Sequence, residues 1–205
     1  MPAKVETTRL AVMLELRGRR CVVVGGGAVA LRRATTLVQH GARVRVVAPV
    51  VDPAFATLEV EVTLRPYVEG DLEDAFLVVV ATSHEQVNVS VADHAREAGV
   101  LVNRADLGGD GDVTLMAQDR KGPLTVAVDS GGASAAAAQT LCAGAMKTLG
   151  PDWPVLLEEA RTRRLQLRGK PEKLRQLTDE QAMAILQRSG RAALSAYLDT
   201  VVTGE

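Results

Sequence analysis

The chain has 205 residues, of which 47% are hydrophobic and 24% charged, with a formal net charge of −1. That length holds one ordinary domain with an appendage, or two small ones. The near-neutral charge gives no electrostatic ground for nucleic acid or an anionic membrane, and no apolar run approaches the ~20 residues needed to span a bilayer. Residues 1–9 are short and polar and lack a signal-peptide core. The two cysteines, Cys21 and Cys142, lie in no C-x-x-C pattern and near no histidine cluster, so they read as small buried hydrophobes. A soluble protein of a reducing cytoplasm is expected.

In chain order, Leu10 to Leu16 is mostly apolar and is expected as a short strand or extended lead-in. Arg17-Gly18-Arg19-Arg20 reads as a solvated basic turn, the other reading being one arginine that reaches an anionic ligand. Cys21-Val22-Val23-Val24 is a strand buried on both faces. Gly25-Gly26-Gly27-Ala28-Val29-Ala30 follows, with G-x-G-x-x-A on Gly25, Gly27 and Ala30. Gly25 serves a tight turn, Gly27 removes a Cβ where a pyrophosphate would touch the backbone, and Ala30 lets the helix lie close to the sheet. Strand, turn and helix in this order present free N–H groups and a positive dipole end to phosphates, which points to dinucleotide binding.

The first helix is expected over Ala28 to His40, stopped by Gly41, and the second strand over Val44 to Ala48, ended by Pro49. The acid that usually holds ribose hydroxyls at this strand end is missing. Arg45 reads as an outward-facing strand residue; the other reading faces it to a 2′-phosphate. Glu59 to Leu64 alternates as a half-buried strand, and Phe76 to Ala81 is an interior strand followed by Thr82 and Ser83 on the cofactor side. A helix over Glu85 to Glu97 holds Asn88 near its start, and His84 and His94 read as surface or helix residues. Val100 to Asn103 is a fifth strand that delivers Asn103, Arg104 and Asp106 to the edge of the glycine loop. Val113 to Met116 and Leu124 to Val128 are expected as strands of a hairpin around Asp119 to Gly122. Ser130-Gly131-Gly132-Ala133-Ser134 opens an alanine-rich helix, either as a second anion loop or as a glycine turn with Ser134 as N-cap. From Pro151 the pattern is helical: about Pro154 to Leu167, then a helix opened by the capping box Thr178-Asp179-Glu180-Gln181 and closed at Ser189-Gly190, then about Arg191 to Val202.

Leu16 to Arg20, Val23 to Ala30, Val46-Val47-Ala48-Pro49, Gly70-Asp71-Leu72, Ala81-Thr82 with Asn88, Val102-Asn103 with Asp106, and Ser130 to Ser134 stand in order. Together they resemble the precorrin-2 dehydrogenase family, the dehydrogenase part of sirohaem synthase, over about residues 8–150. The V-V-A-P strand end is what this family looks like, and the resemblance implies NAD as cofactor despite the missing acid. The fold it implies is α/β: a Rossmann-type parallel sheet over 1–116, a small α/β dimerisation region over 117–150 and a C-terminal helical domain over 151–205. It implies a homodimer; the charge and the lack of a long apolar run are what leave no nucleic-acid or membrane partner expected. The implied reaction is oxidation of precorrin-2 to sirohydrochlorin on the route to sirohaem or cobalamin, with Fe²⁺ or Co²⁺ insertion as a second activity in some members.

Carried residue by residue, the cofactor contacts fall on Gly25, Gly26, Gly27, Ala28, Val29, Ala48, Pro49, Thr82, Ser83 and Asn103. The family's essential aspartate falls on Asp106, expected as general base for the proton lost with the hydride; its competing reading is a turn or cap aspartate. Arg104 and Arg120, with Lys121, are candidate partners for substrate carboxylates. Ser130 matches a serine that can carry a phosphate in a bacterial relative. No metal ligands are assigned. The family's N-V-V-D, a proline and then C-D-F read here as Asn103-Arg104-Ala105-Asp106-Leu107-Gly108 and Gly111-Asp112-Val113. Its S-P is Ser134-Ala135, and its helix arginine is Gln139. Two further readings are a metal chelatase, in which Asp106 accepts pyrrole protons or guides the metal, and a non-enzymatic dinucleotide-sensing domain whose helical tail engages a partner.

Overall fold

In a computed structural model, which describes residues 9–106 and 110–204, the chain separates into two compact units that divide between Leu115 and Met116. The first unit is an open sheet of β1 (Arg20–Val24), β2 (Arg43–Ala48), β3 (Val60–Leu64), β4 (Leu77–Val80) and β5 (Leu101–Arg104). All neighbours are parallel, in the order β3-β2-β1-β4-β5. Helix α1 (Ala28–Gln39) links β1 to β2, and α2 (Glu85–Glu97) links β4 to β5.

The apolar runs of β1 and β4 are continuous because both faces of the sheet are covered. Cys21, Val23, Leu77 and Val79 pack with Ala30, Ala34 and Leu37 of α1 on one face. Their alternates Val22, Val24, Val78 and Val80 pack with Val91, Ala92 and Ala95 of α2 on the other. Period-two alternation of side chains thus builds two cores from one strand. Burial pushes the Cys21 thiol up to about 11, which leaves it an apolar core residue. Residues 9–16 form no strand; they run as an irregular lead-in, with Leu14 and Leu16 packed on the α1 face and Leu10 and Met13 exposed.

In the second unit β6 (Ala117–Lys121) pairs antiparallel with β7 (Leu124–Val128), and α3 (Ala135–Thr148) follows. The hairpin therefore starts later than the sequence suggests. Val113 to Met116 is no strand; Val113 donates its N–H to the Val102 carbonyl beside β5 and accepts from Asn103 Nδ2. The true first strand, Ala117 to Lys121, is mostly exposed, and so carries no apolar alternation to reveal it. The Lys121–Leu124 pair closes on a two-residue turn with Gly122 at φ 58°.

The remaining chain is α4 (Asp152–Arg164), the short α5 (Pro171–Gln176), which the sequence pattern does not show, and α6 (Glu180–Thr203). Asp179 caps α6 by accepting from the Ala182 N–H at 2.9 Å, and Gly190 breaks the helix with φ 80°. Leu156, Leu167, Leu194 and Leu198 form the centre of this helical core.

Candidate active site

The carboxyl ends of β1, β2 and β4 open onto a cavity of about 700 Å³. Its walls include Gly25, Gly26, Gly27, Ala28, Val29, Ala48, Pro49, Thr82 and Ser83, together with Tyr67, His84 and Asp106. Nine of the ten residues expected from the sequence to touch a cofactor thus line one space.

The three glycines do different work. Gly25 has φ 130°, and a Cβ there would run into the Ala81 carbonyl; at Gly26 it would run into the Val50 carbonyl. Those two glycines are demanded by the protein's own packing. At Gly27 a Cβ would meet nothing within 4 Å, so no protein atom requires glycine there. A ligand against the backbone would. No side chain caps α1 at Gly27, and the first-turn N–H groups are left for an anion. By contrast, Ser134 caps α3, accepting from the Ala137 N–H at 3.1 Å, while Ser130 Oγ accepts from the Ser134 N–H. The second glycine run is therefore a capped turn, and Ser130 is one of the groups that shape it.

The tenth expected contact, Asn103, is corrected by the structure. It is only 4% exposed, does not line the cavity, and donates from Nδ2 to the Val113 carbonyl at 2.8 Å. It lies on the α1 side of β5, where alternation points it inward. Arg45 is likewise held on the sheet, by Thr63 and Glu61, with Asp71 3.9 Å away. No Lys or Arg appears among the described residues that line the cavity, and Asp106 is the only Asp or Glu there.

Asp106 is gripped from two sides. Arg104 Nε donates to one carboxylate oxygen at 2.8 Å, and Arg104 Nη2 donates to the other at 2.7 Å. Asn88 Nδ2 donates to that second oxygen at 2.9 Å. The Arg104 hydrogen bonds, reinforced by Asn88, outweigh desolvation and pull the carboxyl down to about 2. A group so acidic is ionised at every physiological pH and is a weak proton acceptor.

Arg104 is also corrected as a substrate contact. Its side chain is 2% exposed and committed to Asp106 and, through Nη1, to Asp110 at 3.2 Å. Asp112 is a backbone support, accepting from the Val102 N–H at 3.1 Å. Arg120 is exposed and donates from Nε to the Gly122 carbonyl within the hairpin turn.

Asn88 stands in the sequence pattern with Ala81-Thr82, but sequence reasoning gave it no role. It is 1% exposed and joins Thr82 to Asp106. Its signal was present, since Asn88, Val91, Ala92 and Ala95 make one buried helix face with a single polar member. Tyr67 is a second missed residue. It stacks on His94, with ring centroids 6.0 Å apart, and burial pushes its hydroxyl up to about 12, with Asp71 and Glu69 adding to the effect. It therefore faces the cavity as a neutral ring.

These residues fit a dinucleotide: a backbone cradle with open space at Gly27, apolar walls, and one anion at the far end of the loop cluster. Residues 12–117 match the family model described as "Putative NAD(P)-binding". A precorrin-2 dehydrogenase of Priestia megaterium is 40% identical over 127 residues, covering 60% of this chain and 62% of that protein. A siroheme synthase of Pseudomonas entomophila is 41% identical over 127 residues, covering 60% of this chain and 27% of that protein. The chain thus spans less than two thirds of these relatives. The solved structure of SirC, a precorrin-2 dehydrogenase, superposes with a TM-score of 0.72 at 27% identity, covering 94% of this chain and all of that one.

Proposed function

Because the chain belongs to the precorrin-2 dehydrogenase family, we propose that it oxidises precorrin-2 to sirohydrochlorin with NAD⁺. The observation that carries this reading is a glycine-loop cavity whose one charged lining side chain among the described residues is Asp106.

Bound NAD⁺ supplies the hydride acceptor. The glycine loop and the first-turn N–H groups of α1 would hold its pyrophosphate. A wall without Lys or Arg suits a ribose that lacks a 2′-phosphate. Asp106, fixed as an anion, stabilises the positive charge that grows on the macrocycle as hydride departs, and it accepts a hydrogen bond from a macrocycle N–H. The low proton affinity of Asp106 favours this electrostatic part over storage of the proton, which passes to water at the open mouth. Arg120 and Lys121, exposed on the hairpin, are the proposed partners of substrate carboxylates.

We place the protein in the cytoplasm as a homodimer. Among the described residues no helix is long and apolar enough to cross a membrane. The dimer contact is proposed at the hairpin and α3: a two-stranded sheet is marginal alone, and α3 leaves Leu141 62% exposed. Sedimentation that gives a monomer mass would remove that part.

The test of the reaction is anaerobic incubation of the purified protein with precorrin-2 and NAD⁺, following NADH and the tetrapyrrole spectrum. Stoichiometric NADH and sirohydrochlorin are expected, and the absence of both overturns the reading. Adding Fe²⁺ or Co²⁺ to the product tests metal insertion separately.

A further inference from the structure

We infer that Asn88 is the positioning residue of this site: one buried amide ties the cavity wall at Thr82 to the Asp106 carboxylate, so that the wall and the anion are set together. Asn88 Oδ1 accepts from Thr82 Oγ1 at 2.6 Å. Its Nδ2 donates to the Thr82 carbonyl at 3.0 Å and to Asp106 at 2.9 Å. All three side-chain bonds go to two residues of the cavity wall. None ties the helix to the rest of the core.

The placement is chemically specific. The other buried residues of α2 are Val91, Ala92 and Ala95, and a Leu or Val at 88 would suit that face without the desolvation an amide suffers. The amide is satisfied only because Thr82 leaves β4 and Asp106 leaves β5 on either side of it. The charged groups around Asp106 are Arg104 on β5, Asp110 in the following loop, and Arg96 and Glu85 on α2; Arg96 pairs with Asp110 at 3.3 Å, and Glu85 acts on Arg104. Arg104 supplies the countercharge. Asn88 supplies direction, since among the described residues its side chain is the one bonded to both the carboxylate and Thr82.

The kinetic arm of the test rests on the dehydrogenase reading; the binding and titration arms do not. In Asn88→Leu the melting curve is expected to remain cooperative. NAD⁺ Kd should rise about fivefold, as Thr82 loses its tether. The Asp106 carboxyl, followed by ¹³C NMR, should titrate about half a unit to one unit higher. The kcat should fall about tenfold, with a smaller change in KM for the tetrapyrrole. Asn88→Asp, which sets a second carboxyl against the first, should push the pair's titration up further. If Asn88→Leu does not fold, Thr82→Val removes the Oγ1 bond of the link while the carbonyl bond stays, and should show a smaller rise in Kd in the same direction. Unchanged Kd and unchanged Asp106 titration in a folded variant overturn the assignment. A wild type that makes no sirohydrochlorin overturns the reaction and leaves the binding and titration results to decide Asn88.

Discussion

Two buried arginines divide the work of this molecule. Arg104 in the first unit is 5% exposed and Arg163 in the second is 8% exposed. Both are surrounded by carboxylates. Arg163 on α4 reaches Glu159 at 2.9 Å on its own helix, and Asp199 at 2.7 Å and Ser195 on α6. Arg191 closes the other side of Glu159 at 2.7 Å. Asp199 and Ser195 from α6, and Arg191 through Glu159, join the two helices. Arg104 instead holds Asp106, two residues away, whose carboxylate also forms part of a cavity wall. The same pair chemistry acts as a staple where it links two packed helices, with Asp199 65% exposed to solvent, and as a site where the anion, 23% exposed, borders a cavity. Burial, pairing and exposure alone do not mark function; the cavity beside the anion does.

The contrast can be broken most forcefully at Asp106. Asp106→Asn keeps shape and removes charge, and turnover should fall about a thousandfold while NAD⁺ affinity changes by less than about twofold. Steady-state kinetics beside direct NAD⁺ titration checks this, and full turnover would make the first network another staple. In the second unit, Arg163→Met should lower unfolding free energy by about 1 to 2 kcal/mol, because the buried Glu159 keeps only Arg191 among the described residues while Asp199, 65% exposed, is taken up by solvent. NAD⁺ binding should not change. Trp153, the chain's one tryptophan, lies on α4 and reports that unfolding by fluorescence in urea. A smaller effect sharpens the ligand side: Gly27→Ala should leave stability within about 0.5 kcal/mol, because its Cβ meets no protein atom, yet weaken NAD⁺ by about tenfold.

The smallest effect is on pH. Asp106 is more acidic folded, at about 2, than its ordinary value of 3.8. Its contribution to stability is therefore complete above about pH 4 and is lost as pH falls through about 2. Solvent at the open edge reduces that contribution to the order of 1 kcal/mol. Wild type should lose that increment relative to Asp106→Asn between pH 5 and pH 2 in urea titrations, and equal losses would show that Arg104 does not hold the charge.

The sheet and its loop were legible from the residues. Continuous apolar runs at Val22 to Val24 and Leu77 to Val80 can only be interior strands, and G-x-G-x-x-A after such a run is a local pattern with a local cause. The α2 limits and the place where α6 starts were equally legible, because propensity and capping act over a few residues, although the cap is Asp179 and not Thr178, which heads the expected box. The hairpin's first strand was not, since Ala117 to Lys121 carries no buried face of its own. Nor was the division of the glycines, because the carbonyls that exclude a Cβ at Gly25 and Gly26 come from Ala81 and Val50. The character of Asp106 came from contacts that only the fold brings together. Its acidity depends on Asn88, 18 residues back on a helix, and on Arg104, whose inward direction follows from the pleat of β5. A run of letters states which groups exist; electrostatics depends on a few ångströms of separation and on which faces water reaches, and those are fixed when the crossover helix packs on the sheet.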